Sequence, residues 1–477
     1  MPSFPFTGGA YESRTLSANA QSCINLYPEF DESGKNGSGK SVLYSTPGCK
    51  LIADVGTGLP IRGMHSWDGN LYVVSGLKLY EISPAGVATL RGTMDAGAST
   101  SPRVSMAHNN TQMILVDGST IGHIYTKSTT TLAKIADADY PGGPVVVYSD
   151  GYFLLIKTNT QEMHISAIQD GTSWNPLEFI SSEGSPDKLI SIIPNHREIW
   201  TFGEATTEVY YNSGSPDFPF ERIQGAFLEL GCTSPYSIAQ IDNNLIWLSR
   251  DIRGTGLIVR TEGYTPQVVS TRAMEAELAT YPTLEDAFAF SYQQAGHQFY
   301  VISFPSGNAT WAYDVTTRMW HERSFFDPIS GPMRHLANCY SFCWGRHFVG
   351  DYRTGKVYEL DLETYTDDSQ PIRRERTSPY VHEDRARISF FRFELDMEFG
   401  RALEGEDPKI MLQFSDDGAR TWSNELQASI GKQGEYLTRA VWRRLGCARQ
   451  RLFKVSVTDS VNVAIISGHL DIIKAAF

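Results

Sequence analysis

The stretch WDGNLYVVSGLKLYEI, Trp67 to Ile82, decides the fold. A polar two-residue turn, Asp68-Gly69, leads into the apolar run LYVV, and after a second turn comes KLYEI. Asp-Gly between apolar runs marks an antiparallel hairpin, because both residues tolerate the positive φ of a tight hairpin turn. The pattern recurs along the chain. Asn109-Asn110 precedes MILV, Asp150-Gly151 precedes YFLLI, His196-Arg197 precedes IWTF, Asn243-Asn244 precedes LIWLS, Gly296-His297 precedes QFYVI, and Gly345-Arg346 precedes HFVG. Counted from Asp68, Asn109, Asp150, His196, Asn243, Gly296 and Gly345, the intervals are 41, 41, 46, 47, 53 and 49 residues. Each apolar run is followed by a second short strand: KLYEI, HIYTK, MHISAI, EVYYN, LIVRT, TWAYDV and KVYEL. A period of about 45 residues accommodates four strands, which is one propeller blade.

Working outward, Thr271 to Phe288 (TRAMEAELATYPTLEDAF) reads as a helical insertion within a blade. Upstream lies a Gly/Ser segment, Ser33 to Ser41, and then VLYSTPG with a turn at Pro47-Gly48. Downstream, TYTDDSQP reads as a linker into short alternating strands: ISFFRFELDMEF, KIMLQF, EYLTRAVWRRL, RLFKVSV and VAIISGHLDII. The expected architecture is all-β, a seven-bladed β-propeller-like domain followed by a C-terminal β-sandwich. Residues 1–48 are read as an arm contributing to propeller closure, 49–362 as the propeller and 371–477 as the sandwich.

Composition supports a folded chain. Of 477 residues, 41% are hydrophobic and 20% charged, with 41 Gly, 23 Pro and 56 aromatic residues, a mix that excludes disorder and coiled coil. No apolar run approaches the roughly 18 residues of a membrane span, and MPSFPFTGGA has none of the stretches of a signal peptide. The expectation is synthesis in a cytoplasm with six free cysteines. The net charge of −13 argues against a non-specific duplex-DNA binder, since attraction to phosphate supplies most of that affinity. Charge is divided along the chain. Residues 1–370 carry 24 Lys and Arg against 39 Asp and Glu, a net of −15, whereas residues 371–477 carry 17 against 15, a net of +2.

Several motifs invite chemistry. GKNGSGKS, Gly34 to Ser41, satisfies the phosphate-loop pattern with Lys40 and Ser41 in the signature places, yet VLYSTPG after it contains Pro47 and admits no useful helix to hold phosphate. His335, Cys339, Cys343 and His347 step by four residues, but on a strand that spacing leaves them about 13 Å apart, so no metal site is assigned. The turn at Gly345 leaves open an approach of His347 to Cys343. SDDGARTW, Ser415 to Trp422, matches the Asp-box turn of sialidase-like propellers through Ser415, Asp417, Gly418 and Trp422, and QDGTSW, Gln169 to Trp174, is a shortened relative. Such boxes are structural, because the Asp caps a turn and the Trp packs. No catalytic serine or cysteine context appears.

Arginine is concentrated late in the chain: Arg373, Arg374, Arg376, Arg385, Arg387 and Arg392, then Arg439, Arg443, Arg444, Arg449 and Arg451. One reading is a solvated sandwich face paired with Glu375, Glu383, Asp384 and Glu394. The other is a docking surface, which for Arg373, Arg374, Arg376, Arg385, Arg387, Arg443 and Arg444 would meet the acidic propeller of a neighbouring subunit.

The order NLYPE (Asn25 to Glu29), STPG (Ser45 to Gly48), hairpin repeats, IRRERTSPYVHED (Ile372 to Asp384), SDDGARTWSNE (Ser415 to Glu425) and GEYLTRAVWRRLG (Gly434 to Gly446) resembles the tail-hub proteins of short-tailed bacteriophages. These are also described as packaged-DNA stabilisation proteins or tail accessory factors. The resemblance runs from about residue 20 to 470 and is more specific in its C-terminal half. It implies a non-enzymatic virion protein without cofactor or metal, forming a hexameric ring below the portal and adaptor. Such a ring extends and closes the DNA exit channel, retains packaged DNA, and attaches the tail needle or plug and the tailspikes or fibres. DNA would pass without specific binding, because an acidic lining repels phosphate. The competing reading is a sialidase-like or glycan-binding propeller.

Overall fold

The computed structural model describes residues 3–31, 41–95, 103–182, 184, 187–215, 218–251, 253–383 and 386–474. Four-stranded antiparallel meanders follow one another at 61–93, 105–134, 146–181, 189–228 and 239–268. A sixth, at 288–322, is merged into a ten-stranded sheet. A seventh, formed by Ala337–Cys343, Arg346–Asp351 and Lys356–Asp361, takes its fourth strand from Gly48–Asp54 and lies in a six-stranded sheet. The merging of the last two units means that the sheets alone do not number the blades uniformly.

Packing shows how the units are arranged. Seven apolar clusters each draw on two successive units, and the cluster containing Ile61, Leu71, Val73, Phe348 and Val357 joins the last unit to the first. The first strands lie innermost around a cavity of about 290 Å³ lined by Gly63, Ser105, Val146, Ile192, Phe288 and Cys339. Their approach is close enough that a Cβ on Gly63 would sit 2.5 Å from the Val104 carbonyl oxygen.

The hairpin turns follow the sequence reading with a shift of register in three units. Both central residues have positive φ at Asp68-Gly69 (51° and 73°), Asp150-Gly151 (48° and 96°) and His196-Arg197 (51° and 66°). In the later units the pair falls one residue earlier than Asn243-Asn244, Gly296-His297 and Gly345-Arg346. It is Asp242-Asn243, Ala295-Gly296 and Trp344-Gly345, because Asn244, for example, already pairs with Ile241. The second unit uses a different device, in which Asn109 Oδ1 accepts from the N–H groups of Thr111 (2.8 Å) and Gln112 (2.7 Å).

Only Arg272–Leu278 of the stretch read as helical forms a helix. Thr271 caps it by accepting from the Met274 N–H, and Thr280-Tyr281-Pro282 follow its end. It links the fifth and sixth units instead of interrupting a blade, and Met274 and Leu278 enter the core those units share.

The N-terminal segment departs most from expectation. Closure of the last propeller unit falls to Gly48–Asp54, while the strands before it pair with the C-terminal module. Leu26–Phe30 and Ser41–Ser45 form a hairpin on Ala464–Lys474, and Ser3–Phe4 pairs with the same C-terminal strand. That sheet also contains Ile388–Met397 and, at its edge, Ala440–Arg443. Facing it are Arg374–Thr377, Gln450–Val457, Lys409–Ser415 and Leu426–Ser429, with Cys23–Ile24 added from the arm. The two layers enclose one core in which Phe393 stacks on Phe453 at 5.0 Å and Phe6, fully buried, packs against Phe393. The described residues before Gly48, expected to close the propeller, therefore pair largely with the sandwich, while Cys23–Ile24 also meets Glu322 of the sixth unit.

Candidate assembly surface at the propeller–sandwich junction

The strand Arg374–Thr377 lies between Cys23–Ile24 and Gln450–Val457, so all four of its residues are buried. Arg376 points into the N-terminal arm. Its Nε donates to the Phe6 carbonyl (2.8 Å), Nη1 to the carbonyls of Gly9 (2.9 Å) and Ser22 (3.2 Å), and Nη2 to Gln21 Oε1 (2.6 Å). Burial lowers its pKa, and these four acceptors compensate the charge in place of a carboxylate. Arg374, also buried, donates to the Asp459 carbonyl at 3.2 Å, and burial lowers its pKa to about 10. The docking role expected of Arg374 and Arg376 is thus corrected: both are internal fasteners, removed from any partner by their position in a central strand.

The other arginines divide. Arg373 is half-buried and paired with Glu375 at 3.1 Å. Arg385 lies outside the described residues. Arg387, Arg443 and Arg444 are exposed, as are Arg439 and Arg449. Arg443 sits opposite Arg392 on the edge strand of the sandwich sheet, and Arg444 turns out of it at a φ of +60°. This edge therefore carries the exposed guanidinium groups of Arg439, Arg443 and Arg444 beside Arg392, which is partly buried and paired with Glu394. Arg451 is the opposite case. Its guanidinium is buried between Phe390 and Phe414 and meets both carboxylate oxygens of Asp416, at 2.6 and 2.7 Å.

The Asp box around Asp416 and Asp417 is a closed turn. Asp417 accepts from the Arg420 N–H (3.1 Å), the Thr421 N–H (3.0 Å) and the hydroxyls of Thr421 (2.6 Å) and Ser415 (2.8 Å). These donors, Thr421 first, hold its carboxyl well below the usual range. Gly418 follows at a φ of +83°, and Trp422 is partly buried with the Lys454 ammonium 4.2 Å from its ring. In the shortened box, Asp170 accepts from the Thr172 N–H (2.9 Å) and hydroxyl (2.7 Å), and Trp174 is buried against Tyr140. Asp417 is spent on its own turn, whereas Asp416 reaches Arg451 and Asp170 also accepts from Gln112 Nε2 (3.2 Å).

The metal-spaced series does not converge. In the hairpin Ala337–Cys343 with Arg346–Asp351, Cys343 pairs with Arg346 and His347 with Phe342, while His347 Nδ1 lies 2.9 Å from the Tyr340 hydroxyl. His335 joins a different group, with Cys49 and Asp367, whose candidate ligand atoms all lie within 4.8 Å. Arg323 Nη2 is 3.1 Å from His335 Nε2 and donates to the Pro47 carbonyl at 3.1 Å, so a guanidinium already supplies the positive charge there. Burial pushes the Cys49 thiol up and the His335 imidazole down, keeping both neutral. The group joins the closing strand to the propeller. Ser41, from the phosphate-loop pattern, begins a strand and bonds Thr7 (2.5 Å); Lys40 lies outside the described residues.

A third polar joint was not visible in the sequence. His297 Nδ1 lies 2.7 Å from Asp314 in the sixth unit, and its Nε2 lies 3.3 Å from Glu29 on the arm. Burial opposes the charged imidazole, but Asp314 and Glu29 outweigh it and raise the pKa. No single residue pattern could reveal this, because 268 residues separate His297 from Glu29.

A propeller joined to a sandwich that its own N-terminal arm completes defines a structural class, and the comparisons place that class in the tails of phages. A family model described as "Bacteriophage P22 Gp10, beta-propeller" matches residues 2–365, and a second, described as "Bacteriophage P22 Gp10, beta-sandwich", matches residues 373–472. The chain belongs to this bacteriophage P22 Gp10 family of phage tail-hub, or packaged-DNA stabilisation, proteins. It is a structural component of the virion tail, where it contacts other virion components. No curated protein matches the chain. Among solved structures, U3-55K aligns with 11% identity over 66% of this chain and 99% of its own, at a TM-score of 0.43. The extracellular domain of the putative hybrid two component system BT4673 from B. thetaiotaomicron aligns with 10% identity over 78% and 43%, at a TM-score of 0.45. Likeness at that level bears no weight here.

Proposed function

We propose that the chain assembles as a hexameric ring below the portal and adaptor, extends the DNA exit channel and closes it after packaging. The observation that carries this reading is the match of both modules, in order, to one tail-hub family. The charge division supports it. An acidic N-terminal region lining a channel lets DNA slide, while the exposed Arg387, Arg443 and Arg444 offer cations to an acidic neighbour. The half-buried Arg373 and Arg385, which lies outside the described residues, are further candidates for that docking role. Retention of DNA then comes from closing the bore with a needle or plug held by the ring, and the periphery carries tailspikes or fibres. The protein performs no catalysis in this role and is made in the cytoplasm of the bacterial host. A nonsense mutant in its gene tests the function: heads are expected to fill with DNA, lose it on purification and lack needle and spikes. Infectious, DNA-stable particles without the chain would overturn it.

A further inference from the structure

One open cleft, of about 650 Å³, belongs to neither the junction nor the inner cavity. It lies where the hairpins of the fifth, sixth and seventh propeller units meet, and its lining has a distinct chemistry. Four carboxamide residues line it, Gln240, whose Nε2 donates to Asn195 Oδ1 at 3.0 Å, and Asn243, Gln293 and Gln298, together with Ser291, whose hydroxyl donates to the Gln240 carbonyl at 2.5 Å. Aromatic surface comes from Tyr340, Phe342 and His347. Among the described residues no Lys or Arg lines it, and the one carboxylate there, Asp242, is already bonded to Arg260 at 3.0 Å.

The aromatic wall is fixed in place. Tyr340 stacks on Phe290 at 5.0 Å with the rings 10° apart, and its hydroxyl meets His347 Nδ1. His347 in turn contacts the ring of Phe342 at 5.1 Å, and Phe342 is 53% exposed with its outer surface uncovered. Beside it, Gln298 Oε1 is buried without a hydrogen-bond partner, an acceptor held ready for a donor.

We propose that this cleft binds a neutral saccharide. Amide groups supply paired donors and acceptors for hydroxyls, and an exposed aromatic ring packs on the apolar C–H face of a pyranose. A phosphate or sulfate ligand would find no cation in the lining, which excludes nucleic acid and acidic glycans on charge. This activity is independent of ring assembly and is measured on the isolated full chain.

Saturation-transfer NMR provides the test, with maltoheptaose, an N-acetylglucosamine trimer and a galactomannan oligosaccharide as probes and a heparin tetrasaccharide as the charged control. At least one neutral probe is expected to receive saturation, and the heparin fragment none. Phe342→Ala should weaken that binding about tenfold, and Gln298→Leu should weaken it while thermal melting stays unchanged for Phe342→Ala. Silence from all three neutral probes, preference for heparin, or undiminished binding by Phe342→Ala would each overturn the assignment.

Discussion

The propeller and the sandwich are both antiparallel β, yet they are assembled in opposite ways. Each of the first six propeller units pairs strands that are neighbours in sequence, so a hairpin and its turn contain their own instructions. The sandwich draws Ser3–Phe4, Leu26–Phe30 and Ser41–Ser45 from one end of the chain onto Ala464–Lys474 at the other. Local pairing makes a repeat that tolerates variation in any one turn. End-to-end pairing makes a module whose sheet is complete only when both ends of the chain are in place.

The sharpest way to break this comparison is to delete residues 1–24. The sandwich would lose buried Phe6, strand Cys23–Ile24 and every acceptor of Arg376, whereas the closing strand Gly48–Asp54 would remain. Calorimetry is expected to show loss of the sandwich transition with a propeller transition retained; an unchanged melting profile would refute the interlock. Next in size is Asp416→Ala, which leaves the buried Arg451 guanidinium without its carboxylate. Because Asp416 is itself partly exposed, the cost should fall at the lower end for broken buried pairs, about 3 kcal/mol by denaturant unfolding. In the propeller, Asp68→Ala places a side chain without turn-forming oxygens at a φ of +51°. A loss of only about 1 kcal/mol is expected, confined to one unit.

A pH titration sharpens the comparison at the seam between the modules. His297 has a folded pKa above its ordinary 6.5, and Glu322, pushed up to about 8 by burial and then by Glu12, Glu375 and Glu277, sits where the arm meets the sixth unit. Both pKa values are raised, so each contribution is complete below the unfolded pKa and is lost as pH rises through the folded one. The protection factors of the Leu26, Tyr27, Glu29 and Phe30 amides, each rate divided into the intrinsic rate at the same pH, should therefore be lower at pH 9 than at pH 6, and His297→Gln should reduce the difference. Higher protection factors at pH 9 would contradict the sign. The smallest structural effect should come from Arg443→Glu with Arg444→Glu, which leaves melting unchanged while impairing assembly on the adaptor.

Legibility in the sequence follows the same division. The hairpin repeats could be read because Asp-Gly turns and alternating strands are local signals, and errors there were single-residue shifts of the turn. ISFFRFELDMEF and RLFKVSV were likewise readable as strands. The arm's destination was not, since nothing near VLYSTPG indicates a partner more than 400 residues away. Nor could RRER be sorted into fasteners and surface charges: Arg376 and Arg443 have the same side chain, and only the position of their strands, central or edge, separates them.

The most direct test of the central claim is the mass, by light scattering, of the purified chain alone and mixed with a phage portal–adaptor complex. A ring of six copies stable on the adaptor is the predicted result. A chain that stays monomeric and ignores the adaptor would contradict the hub assignment.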